Sequence, residues 1–147
     1  MRTQTQLTEH FTLQEMMASG TAIRLGLKNE PGEKEVEALR HLCEEVLEPL
    51  RQRFGRIIIA SGYRCEALNK AVGGVKNSQH MRGEAADIHC GSQQTAQRYY
   101  LFISKHLVFD QLLLERRLSN GCCWIHVSYI FQPGRRANRQ MVKELNV

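Results

Sequence analysis

The sequence lacks the features that would place the chain in a membrane, in an exported fraction or in a fibrous class. No hydrophobic run approaches the ~20 residues that a membrane-spanning helix needs. The opening segment MRTQTQLTEH contains one arginine but no apolar stretch behind it, unlike a secretory signal. Internal repeats and low-complexity segments are also missing. We therefore expect a protein that is cytoplasmic as synthesised and has no membrane partner.

The cysteines do not form a metal-binding pattern. There are five of them at scattered spacings, and no CxxC pair occurs, which disfavours a thiolate zinc knuckle. The adjacent pair Cys122 and Cys123 does not suit a disulfide, because neighbouring residues rarely reach disulfide geometry. We interpret all five cysteines as reduced thiols in a reducing compartment.

What is present is typical of one soluble globular domain. The chain has 147 residues, of which 42% are apolar and 24% charged. A chain of this length and composition can bury a hydrophobic core without disulfide cross-links. We predict a single, monomeric domain over residues 1–147, with a core of about 7–131 and a basic C-terminal tail over 132–147. The formal net charge of +5 permits an anionic partner, but the absence of a recognition motif argues against nucleic acid. The tail arginines Arg135, Arg136 and Arg139 are typical of a solvated surface, or of a site for an anionic polymer.

Periodicity and turn residues predict helices first and strands later, which favours an α+β fold with a small antiparallel sheet. Pro49 is expected to bend or end the second helix late, and the segment after Phe131 is predicted to be a surface tail or a frayed helix. The predicted helices are 12–19, with Thr12 as N-cap, then 33–50, 64–71 and 92–106. The predicted strands are 56–61, interpreted as buried, then 84–90, 107–115 and 123–131.

Three residues form a candidate metal site. His80 ends a polar loop flanked by glycines, Asp87 lies in one predicted strand and His126 in the middle of another. Two imidazoles and one carboxylate leave a fourth position open on a tetrahedral zinc ion, where a bound water becomes a nucleophile at neutral pH. Successive strand residues face opposite sides, so Asp87 and His89 share a face opposite Ile88. His89 is therefore an alternative ligand, a donor to a ligand or a solvent-exposed residue.

A candidate general base follows from the closing hairpin. If Asn120-Gly121 forms a two-residue turn, Glu115 lies directly opposite His126, with Cβ atoms about 4.5–5.5 Å apart. A carboxylate there can accept the proton of the metal-bound water and return it to the leaving amine. A shift in strand register would change this pairing.

Further polar residues near these positions suit substrate binding. Arg64 can hold a substrate carbonyl or carboxylate bidentately and stabilise a developing oxyanion, or it has a structural role. Ser78 and Gln79 precede His80 and can hydrogen-bond a substrate backbone. Trp124 and Ser128 share the predicted face of the second histidine; Trp124 either stacks on substrate or belongs to the core.

Together these motifs resemble one family. They are SGYR at 61–64, LN at 68–69, VGG at 72–74, SQH at 78–80, Gly83, AADI at 85–88 and WIHVS at 124–128. The family is the zinc peptidases that act on peptidoglycan peptides, peptidase family M15 subfamily A, which contains D-alanyl-D-alanine carboxypeptidases and L-alanyl-D-glutamate endopeptidases. The resemblance covers about residues 7–131 and points to the short, endolysin-like members of phage or prophage type.

The resemblance implies one zinc ion bound by His80, Asp87 and His126, with Arg64 contacting the substrate. It also implies a Hedgehog- or DD-peptidase-like fold, with helices packed on one side of a small antiparallel sheet. Many members place the catalytic acid three residues before the last zinc histidine, where this chain has Cys123. Glu115 is then the acidic residue that the hairpin geometry offers for the role of the catalytic acid.

Two functions follow as alternatives. The first is a zinc metallopeptidase that hydrolyses an amide bond in peptidoglycan stem peptides, of carboxypeptidase or endopeptidase type, and reaches the cell wall after release by another route. The second is a catalytically weak or inactive zinc-containing module that binds peptidoglycan, an alternative that Cys123 keeps open.

Overall fold

The computed structural model describes residues 5–131 and 136–147. Within these ranges, no helix is both long and apolar enough to cross a membrane. The helices are α1 (Leu13–Met17), α2 (Gly20–Leu25), α3 (Glu33–Leu42), α4 (Glu48–Phe54), α5 (Glu66–Ala71) and α6 (Gln93–His106), with a π turn at Cys43–Leu47 and a 3₁₀ turn at Gln79–Arg82. The strands are β1 (Ile58–Ser61), β2 (Ala85–Cys90), β3 (Gln111–Arg116), β4 (Cys123–Ser128) and β5 (Met141–Asn146).

One five-stranded sheet organises the fold, with strand order β1-β2-β4-β3-β5. Its first three pairings are antiparallel, and β5 runs parallel to β3. The predicted α+β class is confirmed, while the sheet is mixed rather than purely antiparallel because of β5.

The core lies on one face of this sheet. Along β2, Ala86, Ile88 and Cys90 are buried, whereas Asp87 and His89 point to the other face, as strand alternation predicts. The central strands β3 and β4 alternate in the same way. The buried residues that join the sheet to the helices include Leu39, Leu42, Leu47, Leu50, Ile88, Ile103, Leu112, Leu114, Ile125 and Val127. The opposite face of the sheet is left for polar side chains.

The long helical segment before β1 does not end at its proline. A π turn at Cys43–Leu47 precedes Pro49, and the Glu48 backbone N–H bonds to the Cys43 carbonyl. Pro49 lies directly after this change in hydrogen-bond pattern, at the beginning of α4. The segment therefore continues to Phe54 with its apolar side against the core.

The N-terminal helix is capped as predicted but is shorter. The Glu15 backbone N–H donates to the Thr12 hydroxyl at 3.2 Å. The helix ends at Met17, and Ser19 caps a second helix, α2, by accepting from the Ala22 N–H at 3.1 Å. The sequence analysis did not predict α2, which begins at Gly20 directly after the predicted helix.

The strand predicted at 56–61 is present as β1, but the expectation that it is buried was wrong. β1 covers only Ile58–Ser61, lies at the sheet edge and pairs with β2 alone. Ile58 is 54% exposed. A short apolar run fits a buried strand and a half-covered edge strand equally well, and only the strand order distinguishes them.

The prediction of a surface tail or frayed helix at the C-terminus was also wrong for the residues that the structure describes. Residues 132–135, including Arg135, lie outside the described residues. Beyond them, the Asn138 side chain bonds to both backbone groups of Ile130, at 2.8 and 3.0 Å. The Met141 N–H bonds to the Asp110 carbonyl at 2.9 Å, and β5 then pairs with β3. The last residues therefore belong to the sheet.

Candidate metal centre and its cavity

The three predicted ligands converge on the polar face of the sheet. Asp87 and His126 are direct partners in the antiparallel pairing of β2 with β4. His80 reaches them from the 3₁₀ turn before β2. One ligand atom from each residue lies within 4.8 Å of the others. The His126 Nδ1 is 3.0 Å from one Asp87 oxygen, and the His80 Nε2 is 3.4 Å from the other.

The orientation of His80 is fixed by its other ring nitrogen. Its Nδ1 lies 2.7 Å from the Gly62 carbonyl oxygen, so Nδ1–H donates and Nε2 is left as the ligand atom. The ring is 3% exposed. The Ser78 hydroxyl accepts from the His80 N–H at 3.2 Å, and the Arg64 N–H bonds to the His80 carbonyl at 3.1 Å. Ring and backbone are both held in place.

Asp87 is ionised in this environment. Burial by itself raises the pKa of this carboxyl, but the contacts of its two oxygens with the His126 and His80 rings lower it by more. The pKa of Asp87 is therefore held well below its usual range, so the residue offers a carboxylate at neutral pH.

The donor set fits a divalent ion such as zinc. It comprises two imidazole nitrogens and one carboxylate oxygen, grouped tightly enough for one ion, with a backbone carbonyl supporting one imidazole. Three protein ligands leave a coordination position for water or substrate, as in catalytic zinc sites. His89 is exposed and lies outside this group, which removes the alternative of His89 as a ligand.

Arg64 lies beside the three ligands. Its guanidinium donates to the Ser61 hydroxyl at 3.1 Å, to the Asn69 side-chain oxygen at 3.2 Å and to an Asp87 oxygen at 3.4 Å. These partners come from β1, α5 and β2, so they hold the group at the cavity wall.

The predicted pairing of Glu115 with His126 was wrong by two residues. In the structure Glu115 is opposite Trp124, and Leu113 is opposite His126. The connection is longer than a two-residue turn, since the Gly121 N–H bonds to the Arg117 carbonyl and the Arg117 N–H to the Cys122 carbonyl. A shift of two residues preserves the face on which a side chain lies. Glu115 therefore stays on the same face of the sheet as His126 and lines the same cavity.

Trp124 positions this carboxylate. The indole Nε1–H donates to a Glu115 oxygen at 2.6 Å. The Arg117 guanidinium lies over the indole ring, 5.5 Å from its centre. Cys123, three residues before His126, is buried on the core face, and its thiol bonds to the Gly121 carbonyl. The side chain at position 123 therefore lies on the face of β4 opposite to that of His126.

Of the other predicted substrate contacts, the structure places two at the cavity and one in the protein interior. Ser78 and Gln79 line the cavity, although the Ser78 hydroxyl already caps the 3₁₀ turn. Ser128 is fully buried, and its hydroxyl accepts from the Gln111 N–H at 3.0 Å. It belongs to the strand connection and not to the cavity surface.

The cavity around these groups has a volume of about 520 Å³. Besides the metal ligands, Arg64 and Glu115, it is lined by three further arginines: Arg82, Arg136 and Arg139. The sequence analysis did not place Arg136 and Arg139 here, because nothing in a basic tail indicates which part of the sheet it reaches.

Asp110 holds these two arginines and is fully buried. Arg136 donates to it through two nitrogens at 2.6 and 3.1 Å. Arg139 donates through its backbone N–H, Nε and Nη2 at 3.0, 3.0 and 2.9 Å, and Gln79 adds a bond at 3.1 Å. Burial by itself raises the pKa of Asp110, but these bonds outweigh it and hold the pKa well below the usual range. We call Asp110, Arg136 and Arg139 the arginine clamp.

We expect Asp110→Asn to lower the free energy of unfolding of the metal-free protein by about 2–3 kcal/mol at neutral pH, because a neutral amide leaves both guanidiniums poorly paired. Because the folded-state pKa is depressed, the carboxylate stabilises the fold above the unfolded-state pKa of about 3.9, and this contribution is lost as the pH falls below that value. The difference between variant and wild type should therefore shrink below about pH 4. Urea unfolding from pH 7 to pH 3 measures it.

Glu37→Gln is the matched control for Asp110→Asn. Glu37 is exposed and pairs with Arg40 and His41 at 3.7 and 3.2 Å, and such surface pairs contribute at most about 1 kcal/mol. Equal stability of Asp110→Asn and wild type at pH 7 would contradict the role given to the clamp.

A second prediction concerns Gly62, whose carbonyl orients His80. The Tyr63 N–H bonds to the Met16 carbonyl at 2.7 Å, and a Cβ on Gly62 would overlap that carbonyl oxygen. We expect Gly62→Ala to destabilise the fold by about 1–3 kcal/mol. Zinc affinity should fall about 10–100-fold, because the support of the imidazole is displaced. Chemical unfolding and competition with a chromogenic chelator measure the two effects.

Gly91→Ala provides the comparison for Gly62→Ala. A Cβ on Gly91 meets no atom within 4 Å, so this variant should match wild type in both measurements. Undiminished zinc affinity in Gly62→Ala would show that the Gly62 carbonyl does not orient the ligand.

The comparison with known proteins agrees with this geometry. No curated protein matches the chain. The family profile described as Peptidase M15 matches residues 9–128, a range that contains the three candidate ligands, Arg64 and Glu115. The match covers most of the 147 residues, and the chain therefore belongs to the Peptidase M15 family.

Proposed function

We propose that this protein is a zinc metallopeptidase that hydrolyses an amide bond in peptidoglycan stem peptides. The observation that carries the proposal is the convergence of His80, Asp87 and His126 within 4.8 Å inside the matched range. The cavity around them is large enough for several peptide residues and combines a metal site, a carboxylate and guanidiniums.

His80 Nε2, an Asp87 oxygen and His126 Nδ1 would hold the metal. When bound, zinc polarises a carbonyl group and lowers the pKa of a water molecule from 15.7 to about 7. Glu115 would accept the proton of the attacking water and deliver it to the leaving amine, since its carboxylate lines the cavity. The Trp124 indole holds that carboxylate by one oxygen, which leaves its second oxygen for proton transfer.

Arg64 would bind the substrate next to the reacting carbonyl. Its guanidinium is fixed by three polar partners and borders the Asp87 ligand. A guanidinium in this place can stabilise developing negative charge on oxygen or bind a terminal carboxylate. The first role suits an L-Ala-D-Glu endopeptidase and the second a D-Ala-D-Ala carboxypeptidase, so both bond types belong to the proposal.

The experiment is digestion of purified peptidoglycan and of soluble muropeptides with zinc-loaded protein, followed by mass spectrometry of the products. We expect new amine termini at one stem-peptide bond, their loss after chelation and their return when zinc is added. Tight binding to peptidoglycan without any new termini would instead support the inactive binding module.

A further inference from the structure

The two arginines of the arginine clamp bring charge to the cavity from outside the range that matches the family profile. The profile match ends at residue 128, whereas Arg136 and Arg139 follow it and line the same cavity as the metal ligands. Their place is fixed by the pairing of β5 with β3 and by the bond between the Met141 N–H and the Asp110 carbonyl.

The clamp is rigidly connected to both sides of the metal centre. Gln79, which donates to Asp110, immediately precedes the ligand His80. The Asp110 N–H bonds at 2.7 Å to the carbonyl of Ser128, two residues after the ligand His126. The guanidiniums are therefore positioned relative to the metal before any ligand arrives, which lowers the entropic cost of binding.

The guanidiniums face the cavity and their counter-charges lie behind them. The side chains of Arg136 and Arg139 are 42% and 41% exposed, while Asp110 is fully buried. Glu84, whose charge also acts on Arg136, is buried as well. Among the described residues that line the cavity, four carry guanidiniums and two carry carboxylates, Asp87 and Glu115. A ligand that enters meets positive charge.

A purely structural role explains only part of this arrangement. Asp110 takes two side-chain donors from each arginine, whereas a guanidinium carries five. Both guanidiniums also border the cavity that holds the metal ligands, which the attachment of β5 to the sheet does not by itself require. A planar fork aligned by a carboxylate is suited to bidentate binding of a second carboxylate.

We propose that Arg136 and Arg139, aligned by Asp110, bind a free carboxylate of the substrate peptide and make the enzyme selective for acidic over amidated stem peptides. This inference rests on the proposed function for the identity of the peptide. The clamp sets specificity, while the metal ligands, Arg64 and Glu115 act at the scissile bond.

The experiment compares synthetic stem peptides in which the glutamyl carboxylate and the C-terminal carboxylate are amidated in turn. Zinc-loaded wild type should prefer the free acid at one of these positions by about 10–100-fold in kcat/KM. Arg136→Gln and Arg139→Gln should remove this preference by lowering kcat/KM for the acid only. Arg82→Gln, which removes the same charge from the same cavity without touching Asp110, should retain the preference.

Calorimetric binding of the same peptides to the zinc-loaded Glu115→Gln variant separates this inference from the proposed function. If no peptide is cleaved, the proposed function fails, and the ratio of affinities for acid and amide still tests the clamp.

If the glutamine variants do not fold, Arg136→Lys and Arg139→Lys keep the positive charge but lose the planar guanidinium, and the preference should fall at least severalfold. A preference that persists in the clamp variants, that is absent from wild type, or that Arg82→Gln abolishes equally, overturns the inference.

Discussion

His80→Ala should lose bound zinc and lower kcat/KM on muropeptides by more than about 1000-fold. One of three protein ligands disappears, and without the metal the attacking water returns from a pKa of about 7 toward 15.7. His80 is the proposed ligand whose ring is almost wholly buried and held by a backbone carbonyl, so no other described side chain takes its place. Metal analysis of the dialysed protein, beside product formation by mass spectrometry, measures both effects.

His89→Ala is the matched control for this prediction. This variant also removes an imidazole side chain. His89 lies on β2, on the same face as Asp87 and two residues away from it, but it is exposed. Zinc content and turnover should stay near wild type. A His80→Ala protein that keeps a full equivalent of zinc would remove the basis of the proposed metal centre.

Glu115→Gln should keep its zinc and lose about 10²–10⁴-fold in kcat, the range that a general base contributes. The amide oxygen can still accept the hydrogen bond from Trp124, so the geometry of the strand pair is preserved. What is lost is the ability to take a proton, and therefore the defect should appear in kcat rather than in KM or in metal content. Steady-state kinetics on a cleaved stem peptide gives this separation.

The control for Glu115→Gln is Glu144→Gln. Glu144 lies on β5 beside β3, and its carboxylate bonds to the Gln97 side chain on the protein surface. Loss of one negative charge there should leave kcat within about twofold, as expected for a surface substitution. Wild-type turnover in Glu115→Gln would show that another group is the base.

Trp124→Phe tests how the carboxylate is positioned. Removal of the indole N–H frees the Glu115 oxygen that it binds at 2.6 Å, and we expect kcat to fall about tenfold because the base loses its fixed orientation. Zinc affinity should be unchanged, since Trp124 is not a ligand. A drop in zinc content would point to a structural role for this tryptophan instead.

The sequence alone was sufficient where local rules apply. The alternation of side chains along β2 and β4 placed Asp87 and His126 on the polar face, and the buried partners Ile88 and Ile125 on the core face. Residue types with their spacing also identified His80 as the third member of the cluster. These inferences need only the period of a strand and the chemistry of zinc ligands.

Register was beyond the reach of such rules. Whether Glu115 or Leu113 lies opposite His126 depends on the number of residues in the loop, and the sequence Ser119-Asn120-Gly121 is compatible with a two-residue turn and with the longer one observed. Glu115 remained on the correct face only because the error was an even number of residues.

Ligand chemistry and the two faces of each strand were thus determined by the sequence itself, since both follow from neighbours a few residues apart. The tertiary structure decided that β1 is an edge strand, that the C-terminal residues join the sheet as β5, and that Arg136 and Arg139 meet Asp110 beside the metal centre. Those outcomes depend on contacts between segments about 30 residues apart. Their stability comes from backbone pairing and ion pairs that no local pattern in a basic, weakly apolar segment encodes.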